Sequence, residues 1–384
     1  MIIPRPRALD SITNAFSTHP IAALLGPRQC GKTTLAREIA EREPSTYFDL
    51  ENPVDIRRLS APMTALEELS GLVVIDEVQR RPDLFELLRV LADRPKNAAR
   101  FLILGSASPY LVKGVSESLA GRVRFIDLTG FDLGEVGAEK CGQLWLRGGF
   151  PRSFLAIDDS ASVAWRDDFI RTFLERDIPQ LGISIPAETL RRFWTMIAHY
   201  HGQVWNAAQL ARSLGTSENT ARRYLDILAG AYMIRILPPW FENLRKRQVK
   251  APKIYIRDSG LLHALLQLDT FANLQSHPKF GASWEGFALE QVIAALQTRD
   301  AYFWATYAGA ELDLLVRAGG KHYGFEIKYA DAPGGGRSMH VAIRDLRLEH
   351  LWVVYPGHQQ YSLDDKVSVI PIDSVPSIKL ASRK

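Results

Sequence analysis

Residues 26–33 constrain this chain more than any other segment, because they read Gly-Pro-Arg-Gln-Cys-Gly-Lys-Thr. Gly26 and Gly31 allow the backbone to curl so that successive N–H groups point inward, and a loop of that shape binds phosphate oxygens. An apolar strand precedes the octet at residues 21–25, and residues 34–40 have helical spacing. The helix dipole would therefore face a bound anion. The segment predicts a nucleoside triphosphate site.

The side chains of this loop have separate predicted roles. Lys32 would reach the β- and γ-phosphates, and Thr33 would place its hydroxyl on Mg²⁺. We therefore predict ATP and Mg²⁺ as cofactors. The predicted nucleotide contacts are Gly26, Pro27, Arg28, Gln29, Cys30, Gly31, Lys32, Thr33, Thr34 and Ser106.

A second buried strand, at residues 72–75, ends in two acidic residues. Asp76 would hold the magnesium shell, and Glu77 would be the general base that orients and activates water. The alternative is a strand that ends in two solvated acids. A third strand, over residues 101–106, has Ser106 at its tip, where the hydroxyl either senses the γ-phosphate or is an ordinary turn serine.

Two arginines compete for the role of a finger that neutralises charge in the transition state. Arg122 follows a glycine after a predicted helix end, and Arg176 lies in the segment Glu175-Arg176-Asp177-Ile178. Either could instead form a structural ion pair. We predict Arg122 as the finger, and a finger supplied by a neighbouring copy would require a homo-oligomer.

Several segments together resemble a prokaryotic family of AAA-type, P-loop ATPases whose C-terminal half is the domain of unknown function 4143. They are residues 26–34, 73–79, 104–108, 118–123, 147–151 and 175–178. The resemblance covers essentially the whole chain. It implies ATP binding, a winged helix and a nuclease-like fold in the tail, but it implies no substrate.

The middle of the chain, residues 186–239, predicts a helix-turn-helix followed by a strand. Asn206 begins one helix in the manner of a capping box, and Gly215 ends it. Ser217 can cap a second helix over residues 218–228, which leaves Asn219, Arg222 and Arg223 outward. Residues 233–237 would form the first strand of a wing.

A basic segment follows that strand and contains Arg245, Lys246, Arg247, Lys250 and Lys253. Such residues would contact DNA phosphates in a salt-dependent way; the alternative is a packing module with a solvated hairpin. The net charge of +4 permits a nucleic-acid partner without requiring one. The predicted DNA contacts are Asn219, Arg222, Arg223, Arg245, Lys246 and Arg247.

The last third of the chain predicts three carboxylates and a lysine that converge. Glu285 lies on the apolar face of a helix over residues 283–296. In the strand over residues 311–316, alternation places Asp313 on the face opposite Leu312, Leu314 and Val316. After a Gly-Gly turn at 319–320, Glu326 and Lys328 share one face of the paired strand.

This set has the chemistry of a metal-dependent nuclease. Asp313 and Glu326 would hold a divalent ion through hard oxygen ligands, and Glu285 would complete the shell. Lys328 would position or help deprotonate water and stabilise charge on phosphate. The order resembles the PD-(D/E)XK superfamily of restriction-endonuclease-like folds, although no proline precedes Asp313. The alternative is a nuclease-like fold that serves only as a binding platform.

The fold class predicted is α/β, in four segments. They are a P-loop AAA-type ATPase domain at 1–150, a helical linker at 151–195, a winged helix-turn-helix at 196–252 and a restriction-endonuclease-like domain at 253–384. The two cysteines, Cys30 and Cys141, predict no disulfide framework and suit a reducing compartment. The lack of a signal-peptide core and of a spanning apolar run predicts a cytoplasmic protein without a membrane partner.

The leading functional hypothesis is an ATP-binding and hydrolysing protein that acts on DNA and carries a metal-dependent nuclease-like tail. The alternative is a nucleotide-switched regulatory or scaffold protein that binds DNA or protein without nuclease activity. A toxin–antitoxin or defence role is compatible with either mechanism.

Overall fold

The computed structural model describes residues 3–95, 99–106, 109–241 and 248–381, with only the backbone at 109–113. The chain divides into two compact units. The first is Met1–Gly130 with Gly230–Tyr232, and the second is Phe131–Ala229 with Met233–Lys384. The finer boundaries at residues 150, 195 and 252 stay predictions. Among the described residues, no helix is both long enough and apolar enough to cross a membrane.

A parallel five-stranded sheet forms the centre of the first unit, in the order β2-β3-β4-β1-β5. Its strands are β1 Ile21–Gly26, β2 Ser45–Asp49, β3 Gly71–Asp76, β4 Ala99–Ser106 and β5 Val123–Asp127. Side chains alternate between two separate apolar cores: Ile21 and Ala23 pack in one, and Ala22 and Leu24 in the other. This explains the unbroken apolar runs, because a parallel sheet is covered on both faces.

Six helices accompany this sheet among the described residues of the first unit. They are α1 Pro6–Phe16, α2 Lys32–Ala40, α3 Pro53–Arg58, α4 Pro62–Leu66, α5 Leu84–Ala92 and α6 Pro109–Ser118, with a 3₁₀ turn at Val78–Arg80. The fold class is therefore α/β, as predicted.

The second unit begins with a run of helices. They are α7 Leu133–Val136, α8 Cys141–Arg147, α9 Pro151–Phe154, α10 Asp159–Thr172, α11 Ile178–Gln180 and α12 Ala187–His199, with a 3₁₀ turn at Ala138–Lys140 and a π-helical turn at Phe173–Asp177.

Helices α13 Ala207–Leu214 and α14 Glu218–Gly230 follow, and their caps are those the sequence predicts. The Asn206 side chain accepts from the Gln209 N–H, and Gly215 ends α13 with a φ of 74°. Ser217 Oγ accepts from the Thr220 N–H at 3.2 Å. A three-stranded antiparallel sheet in the order β6-β8-β7 completes this part, with β6 Gln203–Val204, β7 Ile234–Leu237 and β8 Lys253–Ile256.

A six-stranded sheet forms the C-terminal part, in the order β13-β14-β12-β11-β10-β9. Its strands are β9 Ala301–Ala305, β10 Glu311–Ala318, β11 Lys321–Ile327, β12 His350–Tyr355, β13 Tyr361–Asp364 and β14 Val367–Pro371. The helices here are α15 Ser259–Leu265, α16 Phe271–Ser276, α17 Phe280–Leu296 and α18 Arg337–Asp345, with a final 3₁₀ segment at Ile372–Ser377.

Strand β10 departs from the alternation that the sequence predicts. Its pairing with β9 shifts register between Leu312 and Leu315, and these two leucines pack in one apolar core. The expectation that Leu312, Leu314 and Val316 share a face was therefore wrong, because a β-bulge interrupts the period of two. The bulge encloses Asp313, so it sets the direction of a predicted site residue.

Candidate functional site

The phosphate-binding loop connects the end of β1 to the start of α2, as the octet predicts. A Cβ added at Gly26 would lie 1.9 Å from the Leu128 carbonyl oxygen, so only glycine fits where β1 ends. Gly31 has a φ of 100°, a conformation that glycine adopts without strain. The chain therefore turns sharply from β1 into α2, as a loop that binds an anion at a helix N-terminus requires.

Lys32 is buried at this loop, with 5% of its surface exposed. Its ammonium donates to the carbonyl oxygens of Gly26 at 3.0 Å and Pro27 at 2.7 Å. These contacts hold a positive charge inside the loop, beside the backbone donors that would receive phosphate.

Arg5 fastens the loop to the chain that follows β5, a role that the sequence did not reveal. One guanidinium nitrogen donates to the carbonyl oxygens of Cys30 and Thr129, both at 3.0 Å. The other donates to the Gly130 carbonyl oxygen at 3.1 Å. A buried arginine that pairs with backbone carbonyls fixes the far side of the loop.

Asp76, at the end of β3, is the acceptor at the centre of the predicted magnesium position. Its Oδ2 accepts from the Thr33 hydroxyl at 2.8 Å and from the Tyr47 hydroxyl at 2.7 Å. Its Oδ1 accepts from the Glu77 N–H at 2.9 Å. The hydroxyl and carboxylate predicted as magnesium ligands are therefore adjacent, with Asp76 buried and Thr33 half-buried, and this hard-oxygen set fits Mg²⁺.

Glu77 has the environment of a general base. Its backbone is left-handed, with a φ of 56°, and the Gln79 side-chain amide donates to its carboxylate. Burial raises the pKa of Glu77 above its ordinary value, and Lys32 and Gln79 partly oppose that rise. A carboxylate with a raised pKa binds a proton more strongly, which suits proton abstraction from water near neutral pH.

Ser106 ends β4 directly beside Gly26, its register partner on β1. Its hydroxyl is buried and, within the described part of the chain, has no hydrogen-bond partner. The sensing role stays a prediction, and this position at the loop is compatible with it.

The two arginines considered as fingers have different surroundings. Arg122 forms a two-pronged ion pair with Asp93, with both N–O distances 2.6 Å. Arg176 lies exposed in the π-helical turn of the second unit. The contact of Arg122 is the structural ion pair that the sequence left open as an alternative, and its role as a finger stays a prediction.

Three of the predicted DNA contacts lie on α14. Asn219, Arg222 and Arg223 are all exposed, and their spacing of three and four residues places them on one helix face. Arg245, Lys246 and Arg247 lie outside the described residues. Lys253 was predicted within the same basic segment, but that expectation was wrong, because its side chain is buried in β8.

The segment Arg147-Gly148-Gly149-Phe150-Pro151 has a structural role. A Cβ at Gly148 would lie 2.2 Å from Asp258 Oδ1, and the Gly149 N–H donates to Asp258 Oδ2 at 2.8 Å. Asp258 also accepts from the Leu261 N–H and so caps α15. These glycines allow α8 to approach the start of α15 closely.

The predicted residues of the C-terminal site come together at the β10–β11 pair. Asp313 Oδ2 accepts from the Ile327 N–H at 2.8 Å, and the Lys328 ammonium donates to Glu326 Oε1 at 2.6 Å. Asp313 and Glu326 are buried, whereas the Lys328 side chain is 46% exposed. Among described residues, Glu326 Oε2 is a buried oxygen without a hydrogen-bond partner.

Lys253 and Glu311 complete this cluster, and neither was predicted from the sequence to belong to it. Lys253 Nζ lies 2.5 Å from Glu311 Oε1, 3.2 Å from Glu285 Oε1 and 3.8 Å from Asp313 Oδ1. The Tyr255 hydroxyl donates to Glu285 Oε1 at 2.5 Å. Glu311 was foreseeable, since it precedes Asp313 by two residues on one strand; no local signal indicated Lys253.

Electrostatics at this site favour the protonated forms of Asp313 and Glu326. Burial, with Glu285 and Glu326 nearby, raises the pKa of Asp313 well above its ordinary value. Burial also raises the pKa of Glu326. Burial would lower the pKa of Lys253, but Tyr255 and the surrounding carboxylates raise it well above its usual range. Lys253 therefore stays charged and serves as a counter-ion.

A metal ion at this cluster stays a prediction. The unpartnered Glu326 oxygen and the neighbouring Asp313 are hard donors of the kind that Mg²⁺ or Mn²⁺ takes. Within the described ranges, however, no group of three or more His, Cys, Asp or Glu side chains has the spacing to hold a metal ion.

Three sequence families match successive parts of this chain. The AAA domain matches residues 18–137, a domain of unknown function (DUF8612) matches residues 138–272, and a second one (DUF4143) matches residues 280–375. The AAA match contains the loop, Asp76 and Glu77, and the DUF4143 match contains Glu285, Asp313 and Glu326.

Two mycobacterial relatives share most of the chain. Uncharacterized protein Rv2008c of Mycobacterium tuberculosis is 54% identical over 375 residues, which is 98% of this chain and 85% of that protein. Uncharacterized protein Mb2031c of Mycobacterium bovis has the same identity and coverage.

Solved structures show more distant likenesses. The Walker-type ATPase PABY2304 of Pyrococcus abyssi has 15% identity and a TM-score of 0.48, covering 69% of this chain and 96% of its own. The RuvB Holliday junction branch migration motor of Thermotoga maritima has 18% identity and a TM-score of 0.30, and the match covers 62% of this chain and 90% of the motor. At these scores neither likeness carries an argument. From the family matches, the mycobacterial relatives and the loop geometry, we conclude that this chain belongs to the AAA-type ATPases with a DUF4143 C-terminal domain.

Proposed function

We propose that this protein hydrolyses ATP in order to act on DNA, with the first unit as the ATPase and α14 as the principal DNA contact. The observation that carries the ATPase part is the convergence of Thr33 and Glu77 on Asp76 at the end of β3. Nucleotide binding and hydrolysis also follow from membership of the AAA family.

The residues of the loop have distinct roles in this proposal. Backbone N–H groups of the loop and the Lys32 ammonium would bind the phosphates, and Thr33 and Asp76 would hold magnesium. Magnesium, when bound, neutralises charge that develops on the phosphates. Glu77 orients a water molecule and takes its proton, which burial and the raised pKa favour.

The DNA part of the proposal is supported by the middle of the chain. Helix α12, strand β6, helices α13 and α14, and strands β7 and β8 follow one another, and we infer that they form a winged helix-turn-helix. The second helix of its turn, α14, carries the exposed Asn219, Arg222 and Arg223. In such modules the second helix enters the major groove of DNA.

The test is binding of a labelled DNA duplex, measured by fluorescence anisotropy across a series of salt concentrations. Replacing Arg222 and Arg223 by alanine removes two phosphate contacts, so the slope of log affinity against log salt should fall by about two. The matched control replaces Arg171 and Arg344, which are also exposed arginines, and should leave affinity unchanged. Equal binding by the two double variants would contradict the proposed DNA contact.

A second candidate function, a metal-dependent nuclease in the tail, is favoured by one observation. Asp313 on β10, Glu326 on β11 and Lys328 just after β11 lie close together, and one buried Glu326 oxygen has no partner among the described residues. We infer a restriction-endonuclease-like fold for this sheet. The alternative role is a nucleotide-switched regulatory or scaffold protein without nuclease activity.

Cleavage of linear, supercoiled and branched DNA with Mg²⁺ or Mn²⁺ and ATP separates these two roles. Cleavage by the wild type that is lost in Asp313→Ala supports the nuclease, and its response to Lys32→Ala shows whether ATP controls it. Absence of cleavage on every substrate, with ATP hydrolysis intact, supports the switch.

A further inference from the structure

The C-terminal carboxylate cluster, defined as Glu285, Glu311, Asp313 and Glu326, contains a cation that the chain itself supplies. Lys253 lies on β8, which pairs with β6 and β7 and not with the C-terminal sheet. Its ammonium nevertheless contacts oxygens of Glu285 and Glu311 and lies 3.8 Å from an oxygen of Asp313. The positive charge therefore enters the cluster from a neighbouring structural element.

Lys253 is held in place by the strand that carries it. Only 5% of its surface is exposed, and its neighbour Ile254 is fully buried. Tyr255 lies two residues after Lys253 on the same strand, and its hydroxyl donates to Glu285. The Lys253 ammonium and the Tyr255 hydroxyl therefore contact the same carboxylate. The ammonium is therefore enclosed among the carboxylates whose charge it balances.

A divalent ion would need the same oxygens. Mg²⁺ binds oxygen at about 2.0–2.1 Å, and each carboxylate that takes part must turn a lone pair toward it. Glu311 and Glu285 already direct oxygens at the Lys253 ammonium, 2.5 Å and 3.2 Å away. A second cation among these oxygens would be repelled by the first at short range.

We propose that Lys253 is the buried resident cation of Glu285, Glu311 and Asp313, beside the half-exposed Lys328 on Glu326, and that it excludes Mg²⁺ and Mn²⁺ from the tail in this conformation. The inference rests on the proposed nuclease-like site only for the identity of the cluster. It makes the tail a site whose metal binding is blocked by an internal ion pair.

The test is a count of bound Mn²⁺ by electron paramagnetic resonance, with the full chain free of nucleotide. Lys253→Met keeps most of the length of the side chain and removes its charge. It should gain one Mn²⁺ site relative to the wild type, and adding Asp313→Asn to Lys253→Met should abolish that site. The matched control is Lys321→Met, which removes an exposed lysine paired with Glu349 and should gain nothing.

The Mn²⁺ counts of these variants test the exclusion as follows. A wild-type Mn²⁺ site that Asp313→Asn removes would overturn the exclusion and leave the nuclease candidate intact. If the wild type has no such site, failure of folded Lys253→Met to gain one would overturn both the exclusion and the metal-dependent nuclease. Should Lys253→Met fail to fold, a Mn²⁺ site in the wild type that Asp313→Asn removes would still overturn the exclusion. ATP hydrolysis and DNA binding on the same samples test the proposed function separately.

Discussion

The hydroxyl of Tyr47 donates a 2.7 Å hydrogen bond to Oδ2 of Asp76, the oxygen that also accepts from Thr33. Tyr47 lies on β2, and its register partner on the neighbouring strand is Val74, two residues before Asp76. The phenol therefore orients the carboxylate at the end of β3 from an adjacent strand. We infer that Tyr47 is a positioning residue for the predicted magnesium site.

Tyr47→Phe should raise the Mg²⁺ concentration needed for half-maximal ATP hydrolysis by about tenfold, because it removes an outer partner of a metal-binding carboxylate. The maximal rate should recover at high Mg²⁺. The measurement is the initial rate of hydrolysis in a Mg²⁺ titration. Tyr200→Phe is the control. It also removes one hydroxyl, which donates to the Val204 carbonyl oxygen in the second unit, whereas the predicted magnesium site lies in the first. An unchanged Mg²⁺ requirement in Tyr47→Phe would contradict the role.

Gly26→Ala should destabilise the first unit, because the added methyl group would lie 1.9 Å from the Leu128 carbonyl oxygen. Overpacking of this kind costs about 1–3 kcal/mol, and here a backbone atom would have to move. The measurement is urea unfolding followed by fluorescence. Gly142→Ala, whose added Cβ meets no atom within 4 Å, should be close to neutral, and equal stabilities of the two variants would exclude the close approach.

Arg122 forms an ion pair with Asp93, so replacing each partner in turn separates a structural role of Arg122 from a catalytic one. If Arg122 is the finger, Arg122→Ala lowers ATP hydrolysis about 10³-fold, whereas Asp93→Ala, which breaks the same pair, leaves it unchanged. A finger supplied by a neighbouring copy also makes the specific rate rise with protein concentration. Equal, small effects of the two substitutions would remove Arg122 from the mechanism.

The tail becomes less stable in mild acid because His263 is buried in its neutral form. Its Nδ1 lies 3.0 Å from the Leu146 carbonyl oxygen and so carries the proton, and its Nε2 accepts from the Ser283 hydroxyl at 2.7 Å. Burial lowers the pKa of His263 from 6.5 to about 4. The unfolded chain therefore binds the extra proton first, and stability is lost as the pH falls from 6.5 toward 4.

At pH 5 this group alone removes about 2 kcal/mol of the free energy of unfolding relative to pH 7. His263→Gln keeps an amide donor and an acceptor but cannot be protonated. Its loss of stability between pH 7 and pH 5, measured by urea unfolding, should be smaller than that of the wild type by about this amount. An identical loss in both proteins would show that His263 does not bind the proton.

Local motifs made the phosphate loop, the strand-end acids and the helix caps predictable from the sequence. Strand, loop and helix follow one another directly between residues 21 and 40. Because the strands are parallel, Asp76 at the end of β3 lies at the same edge of the sheet as the loop. Asn206, Gly215 and Ser217 act on residues close by in the chain, so their roles also follow from local sequence.

The residues that the sequence did not reveal act through long-range contacts. Arg5 contacts Cys30 across 25 residues, Tyr47 contacts Asp76 across 29, and Lys253 contacts Glu285 across 32. No local periodicity encodes such pairs. The β-bulge at Asp313 was missed for a related reason, because strict alternation was assumed where the pairing with β9 shifts.

The most direct test of the central claim is ATP hydrolysis by the wild type and by Glu77→Gln, each measured with and without duplex DNA. We expect the wild type to hydrolyse ATP faster when DNA is present, and Glu77→Gln to bind ATP but hydrolyse it at least about 100-fold more slowly. Equal hydrolysis by the two proteins would contradict the assignment of Glu77 as the base. A wild-type rate that DNA leaves unchanged would contradict the coupling of hydrolysis to DNA.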